Sequence, residues 1–381
     1  MTEEHNTFDE MGLNDNLLRG IFSYGFEYPS NIQKKSIKLL NSGKDLIAQS
    51  QSGTGKTGAF VIGSLNKINE NNKNIQIIIL SPTRELATQI YNVATSLSQY
   101  MNIKTTLLIG GNQLSLDNTK KELKDTQLII GTPGKIYDLI NRNILNINKL
   151  DTLILDEADE MLSKDFKEQI FNILKFVNNK IQVVLYSATL SKDILDTVDN
   201  ILDDPIKILI QNEELTLQGI RQFYINTVYD KYKVDALIDI YSSLSINQTI
   251  IYVNTINRAM QLENKLKYQG LSSNILHSKL NQSERNDILS NFRSGSSRIL
   301  ISTDIIARGI DIQSVSIIIN YDIPNYKETY IHRIGRSGRY GRKGYAINFC
   351  CNNDINKLKI IEEFYSTSIE EFPANYKDIL N

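Results

Sequence analysis

Short apolar runs of strand length alternate along this chain with longer segments in which apolar residues recur at helical spacing. In the first half the runs fall at Asp45–Gln49, Ile75–Ser81, Lys104–Gly110, Gln127–Gly131, Thr152–Leu155, Ile181–Tyr186 and Ile206–Ile210. The helical segments between them are Lys56–Leu65, Glu85–Tyr100, Leu114–Leu123, Lys135–Asn141 and Lys167–Phe176. Runs that are apolar throughout predict strands buried on both faces, and their alternation with helices predicts a parallel sheet covered on each side. The rhythm pauses over the polar stretch Gln211–Gly219 and then restarts. Arg221–Thr227, Thr249–Asn254, Ser273–His277, Arg298–Thr303, Val315–Tyr321 and Gly344–Cys351 read as strands, with helices at Lys233–Leu244, Ile256–Tyr268, Ser283–Phe292 and Ile355–Tyr365. The pattern therefore predicts two α/β lobes, 1–208 and 221–381, joined by a linker at 209–220 about which they could open and close.

Composition narrows the class. The chain has 381 residues, 41% of them hydrophobic and 22% charged, with a net charge of −1. That fits a soluble protein of two domains at about 100–200 residues each. A near-neutral balance excludes binding to a polyanion by bulk charge, so any nucleic acid must meet a local surface or a particular state of the protein. The two cysteines, Cys350 and Cys351, are adjacent within an apolar run. That placement predicts a core strand and a reducing compartment, not a disulfide framework or a metal pair. The polar, acidic start at Met1–Met11 is not a signal peptide, and no window approaches the roughly 18 apolar residues of a membrane span. The Asn-rich piece Asn71–Asn74 reads as a loop.

Two polar clusters at strand ends carry candidate chemistry. The first predicted strand runs into Ser50-Gln51-Ser52-Gly53-Thr54-Gly55-Lys56-Thr57 and then a helix. Glycines let backbone amides approach phosphate oxygens, the helix start favours an anion, Lys56 can reach the β and γ phosphates, and Thr57 can ligate Mg²⁺. Ser50 stands where the usual phosphate-loop pattern has Gly. The run Thr152–Leu155 ends in Asp156, Glu157, Ala158 and Asp159. Alone, these acids read equally well as a cap on the following helix. Beside a phosphate loop they read as half of a Mg–ATP site, with Asp156 holding the metal, directly or through its waters, and Glu157 positioning a nucleophilic water. The second lobe carries His332-Arg333-Ile334-Gly335-Arg336-Ser337-Gly338-Arg339. Its arginines would share a face if helical, although Gly335 and Gly338 suit an irregular turn. They are either a solvated basic surface or phosphate-binding forks that reach the loop only when the lobes close. Pro82–Leu86, Gly131–Lys135, Ser187–Thr189, Thr303-Asp304 and Ala307–Asp311 are also polar strand-end pieces, each ambiguous by itself.

Together these motifs, in this order from Phe8 to about Leu380, resemble the DEAD-box RNA helicases; the box itself is Asp156-Glu157-Ala158-Asp159. The resemblance implies two tandem RecA-like domains of the P-loop NTPase class, helicase superfamily 2, using ATP and Mg²⁺. It implies an adenine-reading Q motif within residues 6–34, with Gln33 pairing with the adenine edge and Phe8 stacking on its ring. Asp311 would contact the ribose, and Arg336 and Arg339 would act as arginine fingers. Asp159, Ser187, Thr189 and His332 would couple the nucleotide to RNA. The RNA backbone would meet Thr83, Arg84, Gly111, Thr132 and Lys135 in the first lobe and Asn254, Arg285 and Thr303 in the second. Phosphate and 2′-hydroxyl contacts of this kind select RNA without reading bases.

Further stretches, among them Glu213–Leu217, Gly219–Tyr224, Phe292–Arg298 and Tyr330–Arg336, resemble the translation-initiation branch of the family and its nuclear exon-junction counterpart. Met11-Gly12-Leu13 and Ser50-Gln51-Ser52 lean to the exon-junction branch, an ATP-locked clamp on RNA. Ile310–Gln313 and Arg221–Asn226 lean to the initiation branch, which is the preferred reading. It implies a cytoplasmic monomer whose RNA targets are chosen through partners, notably a scaffolding initiation factor. The family usually has Arg where this chain has Lys135, and close relatives have Gly-Asp where it has Ser278-Lys279.

Overall fold

Strands such as Ile77-Ile78-Ile79-Leu80 are apolar at every position because helices cover both faces of the sheet they join. The computed structural model describes residues 6–50, 53–111, 116–163, 166–177, 180–190, 192–209, 220–243, 248–304, 315–337, 344–352 and 354–373. The chain divides into two units, Met1–Ile210 and Gln211–Asn381. Most of the expected linker, 210–219, lies outside the described residues.

The sheet of the first unit contains β1 (Leu46–Gln49), β2 (Ile77–Leu80), β3 (Thr105–Leu108), β4 (Leu128–Gly131), β5 (Thr152–Asp156), β6 (Gln182–Ser187) and β7 (Ile206–Ile208). Their spatial order is β3-β4-β2-β5-β6-β1-β7, and every described pairing is parallel. Alternate side chains enter two separate cores. Ile77, Ile79 and Ile154 pack with helices α1 (Asp15–Tyr24), α2 (Asn31–Leu40), α3 (Lys56–Lys67) and α4 (Arg84–Leu97). Ile78, Leu80, Leu153 and Leu155 pack on the opposite face. That face is covered by α6 (Pro133–Asn141), α7 (Ala158–Met161), α8 (Lys167–Lys175) and α9 (Lys192–Val198), with α5 (Leu116–Leu123) at its margin.

The second unit repeats the plan. Its strands are β8 (Ile220–Asn226), β9 (Thr249–Tyr252), β10 (Asn274–Leu276), β11 (Ile299–Ser302), β12 (Ile317–Asn320), β13 (Gly344–Cys350) and β14 (Glu370–Glu371), in the order β10-β11-β9-β12-β13-β8-β14. Helices α12 (Gln282–Arg293), α13 (Lys327–Ile334) and α14 (Ile355–Tyr365) cover one face. Helices α10 (Lys233–Ser243) and α11 (Ile256–Tyr268) cover the other. Cys350 lies buried in this core and both cysteines are free thiols. Among the described residues, no helix is long and apolar enough to cross a membrane.

Local chemistry explains the boundaries. Asn14 caps α1 by accepting from Asn16 N at 2.9 Å, and left-handed Gly25 ends that helix. Ser30 and Gln33 form a capping box at α2, as Asn281 and Glu284 do at α12. The apolar pattern did not anticipate α1, α2, α7, α9 or α13. It also ended β5 and β6 one residue early, because Asp156 and Ser187 are polar although both remain in register with their neighbours.

Helices α1 and α4 cross where Gly20 meets the backbone of Leu97; a Cβ on Gly20 would lie 1.9 Å from the Leu97 carbonyl oxygen. Gly20→Ala should therefore force the helices apart. We expect a loss of roughly 1–3 kcal/mol, read as a lower first transition in thermal melting of the full chain.

Candidate active site

The phosphate loop starts where β1 ends. Ser50 N donates to the Ser187 carbonyl at 2.9 Å, and the Ser50 and Thr54 hydroxyls lie 2.5 Å apart. Gly53 and Gly55 take φ values of +84° and +99°, which favour glycine. Helix α3 begins at Lys56. The Lys56 ammonium is buried and has no hydrogen-bond partner among the described residues. An unpaired interior cation at a helix start suits a phosphate. Thr57, the candidate metal ligand, is the next residue. Gln51 and Ser52 lie outside the described residues.

Gln33 is built into this loop. Its Oε1 accepts from Ser30 N at 2.8 Å and its Nε2 donates to the Gly55 carbonyl at 3.2 Å. A Cβ at Gly58 would lie 2.6 Å from Gln33 Nε2, so glycine there gives the amide its seat. Phe8 is fully buried in the first core, with its ring 6.4 Å from that of Phe26. It has no open face and could stack on a base only by moving; the half-buried ring beside the loop is Phe26.

Asp156 is the last residue of β5, and its Oδ1 accepts from Glu157 N at 3.0 Å. Glu157 then turns the chain in the left-handed region, φ 52° and ψ 54°, a strained conformation for a residue with a side chain. Asp159, one turn on, accepts from the Thr189 hydroxyl at 2.6 Å. The Ser187 hydroxyl donates to the Thr189 carbonyl at 2.6 Å. With the bond from Ser50 to Ser187, these contacts form a continuous polar path from the phosphate loop to the last acid of the box.

The other candidates of the first unit gather at the carboxyl ends of β2, β3 and β4, which are neighbours in the sheet. Thr83 caps α4 through a bond from Leu86 N at 3.2 Å, and Thr132 is the N-cap of α6, which begins at Pro133. Arg84 lies against the backbone of Gly110 and Gly111; a Cβ at Gly111 would come within 2.7 Å of its guanidinium. Lys135, half-buried, sits in the first turn of α6.

In the second unit, α13 ends at Gly335, so His332 and Arg333 are helical while Arg336 lies in the turn that follows. This resolves the choice between a helical face and an irregular turn. Arg336 Nε donates to the His332 carbonyl at 3.4 Å. Arg333, fully buried like Arg336, takes internal partners. It bonds Asp304 at 2.6 Å, the Asp322 carbonyl at 2.7 Å and Asn254 Oδ1 at 2.8 Å. This hub ties α13 to the ends of β9, β11 and β12, and no motif reading assigned it; the signal was Asp304, left ambiguous beside Thr303. Asn254 also gives its Nδ2 to the Ile323 carbonyl at 2.9 Å, which fixes the amide and leaves its second N–H and one oxygen lone pair for a further partner. Arg285 is buried and donates to the Ser278 carbonyl at 2.6 Å, and Thr303 is half-buried after β11. Asp311 and Arg339 lie outside the described residues.

Known proteins share this arrangement. The DEAD/DEAH box helicase family matches residues 30–197, and the helicase conserved C-terminal domain matches 232–341. The ATP-dependent RNA helicase eIF4A of Debaryomyces hansenii is 49% identical over 375 residues, covering 98% of this chain and 94% of that protein. The chain belongs to the DEAD-box helicases. Eukaryotic initiation factor 4A of Caenorhabditis elegans is 47% identical over 374 residues, with 98% and 93% covered. The structure of Saccharomyces cerevisiae Dbp5 bound to RNA and ADP BeF3 superposes with a TM-score of 0.91 at 35% identity, covering 99% of each chain. The expected family, its tandem RecA-like sheets and its ATP-dependent RNA helicase activity are thus met.

For a DEAD-box helicase, the electrostatics of the box are informative. Burial, and then the neighbouring Glu157 carboxylate, push Asp156 from its ordinary 3.8 up to about 7, although Lys56 and the Glu157 N–H pull the other way. The Lys56 ammonium makes no hydrogen bond to Asp156. A buried carboxylate that resists ionisation fits a divalent cation, and Thr57 with Asp156 are the residues that could hold Mg²⁺. Because the folded pKa is raised, the stability Asp156 contributes is fully present below its ordinary range and is lost as pH rises through about 7. Asp156→Asn should therefore melt higher than the parent at pH 8 without nucleotide. The gain should shrink as the pH is lowered towards 5, as read by scanning calorimetry across that range.

Proposed function

We propose that this helicase unwinds short RNA structure during cap-dependent translation initiation, in the cytoplasm, as a monomer working with a scaffolding initiation factor. The observation that carries this reading is the near full-length likeness to proteins named as initiation factor 4A in both a yeast and a nematode.

In the mechanism we infer, ATP lies with its β and γ phosphates on Lys56 and the loop amides, its adenine against Gln33. Thr57 and Asp156 would hold Mg²⁺, partly through water, and the ion would neutralise charge that develops on the phosphates. Glu157 holds a water in line with the γ phosphate and accepts its proton. Its left-handed backbone, which turns the chain directly after Asp156 at the end of β5, is compatible with this role. Arg336 and Arg339 stabilise the transferring group from the second unit, so turnover requires ATP and RNA to bring both units into play. Asp311 contacts the ribose.

RNA runs over the carboxyl ends of β2, β3 and β4, against Thr83, Arg84, Gly111, Thr132 and Lys135. Asn254, Arg285 and Thr303 hold it on the second unit. Contacts to phosphate and 2′-hydroxyl groups make binding independent of base sequence. Asp159, Thr189 and Ser187 couple the two ligands, with His332 joining them from the second unit; the supporting feature is their bonded path to Ser50.

The first test is ATP hydrolysis by the purified chain with and without RNA, where stimulation by RNA is expected. Hydrolysis indifferent to RNA would leave only a nucleotide switch. Glu157→Gln should retain ATP and RNA binding in filter assays but lose about 10²–10⁴-fold in kcat. Arg336→Ala should lower kcat by about 10³-fold or more while leaving ATP affinity without RNA nearly unchanged. Affinity capture should recover an initiation scaffold; exon-junction proteins in its place would move the protein to the nuclear branch.

A further inference from the structure

At the amino ends of β4, β2 and β5, the sheet edge opposite the phosphate loop, lies a pocket of about 490 Å³. Its walls carry Lys73, Lys120, Lys121, Lys124 and Lys149, all exposed. No carboxylate lines it, and none of the five ammonium groups pairs with a carboxylate among the described residues. In a chain whose net charge is −1, five unpaired lysines around one cavity form a pronounced local field. The base of the pocket is different in kind. Ile75, Leu123 and Ile144 reach it half-buried, at the margin of the core on that face of the sheet.

This combination discriminates between polyanions. Single-stranded nucleic acid held through its bases needs aromatic stacking or arginine forks, and the lining has neither aromatic nor arginine side chains. Lysine provides compact point charges, and the aliphatic base can take a leucine or isoleucine. We propose that the pocket docks an acidic segment of a partner protein, a run of Asp and Glu carrying one or two aliphatic side chains. The aliphatic group fills the base and the carboxylates meet the lysine rim. Because Asp156 ends β5 and Lys56 follows β1, both at the carboxyl edge of the same sheet, a partner held at the amino edge leaves the nucleotide edge free while the enzyme turns over.

The probe is a short fluorescent peptide with two leucines flanked by Asp and Glu, titrated into the full-length protein with anisotropy as readout. We expect saturable binding that weakens about tenfold or more in Lys120→Glu/Lys121→Glu, and equally when the leucines become alanine. RNA-stimulated ATPase of that variant should match the parent, and a short single-stranded RNA should not displace the peptide. No binding, or equal binding by the double variant, would overturn the proposal. Equal binding of the leucine-free peptide would reduce the pocket to nonspecific charge, and displacement by RNA would make it a nucleic-acid surface; both also overturn it.

Discussion

The interior position of Asp156 is the constraint on which the first unit depends. A β-strand buried on both faces delivers a carboxylate to the end of the sheet, where water cannot stabilise its charge. The adjacent Glu157 makes ionisation harder still. The charge of Lys56 acts on the acid, yet its ammonium makes no hydrogen bond to it. Cation and anion are thus held apart, each suited to an external partner of opposite sign. A magnesium nucleotide offers both signs in one ligand. The same separation makes the site responsive, since a carboxylate already locked to lysine would have little to gain from binding.

The parallel sheet then divides labour along one edge. Strands β1, β5 and β6 end in the residues suited to a nucleotide, whereas β2, β3 and β4 end in those suited to a polynucleotide backbone. Asp159 and Thr189 belong to the nucleotide group in the sheet but continue into the polar path that begins at Ser50. The short bonds on this path, buried in a low-dielectric setting, leave its members few alternative positions. These bonds join the phosphate loop to the last acid of the box through groups that have little room to move separately.

Much of this was legible in the amino-acid pattern because buried parallel strands write themselves as uninterrupted apolar runs. All but the shortest strand, β14, were found that way. Helices were less legible where their apolar stripe is short. Helix α1 buries only Leu17, Gly20 and Ile21, and α7 spans one turn. The phosphate loop and the acidic box were readable because phosphate chemistry demands particular residue types at particular spacings. Burial was not. Nothing in the spacing distinguishes Phe8, lost in the core, from Phe26, left half open. The arginines 333 and 336 look equivalent in the motif, yet a helix ending at Gly335 sends the first into an internal hub and leaves the second in a turn. Long-range partners such as Asp304 and Asn254 decide such outcomes, and a local motif contains no record of them.

The left-handed backbone at Glu157 has an evolutionary consequence. A glycine, or an asparagine, would occupy φ 52° at less conformational expense, so the position opposes any selection for robustness alone. Libraries of this chain screened only for thermal survival should drift away from glutamate there, and under the proposed role of Glu157 the survivors should be hardy but idle. Breeding a tougher version of this motor would have to draw its gains from elsewhere in the two sheets and hold this residue fixed against the screen.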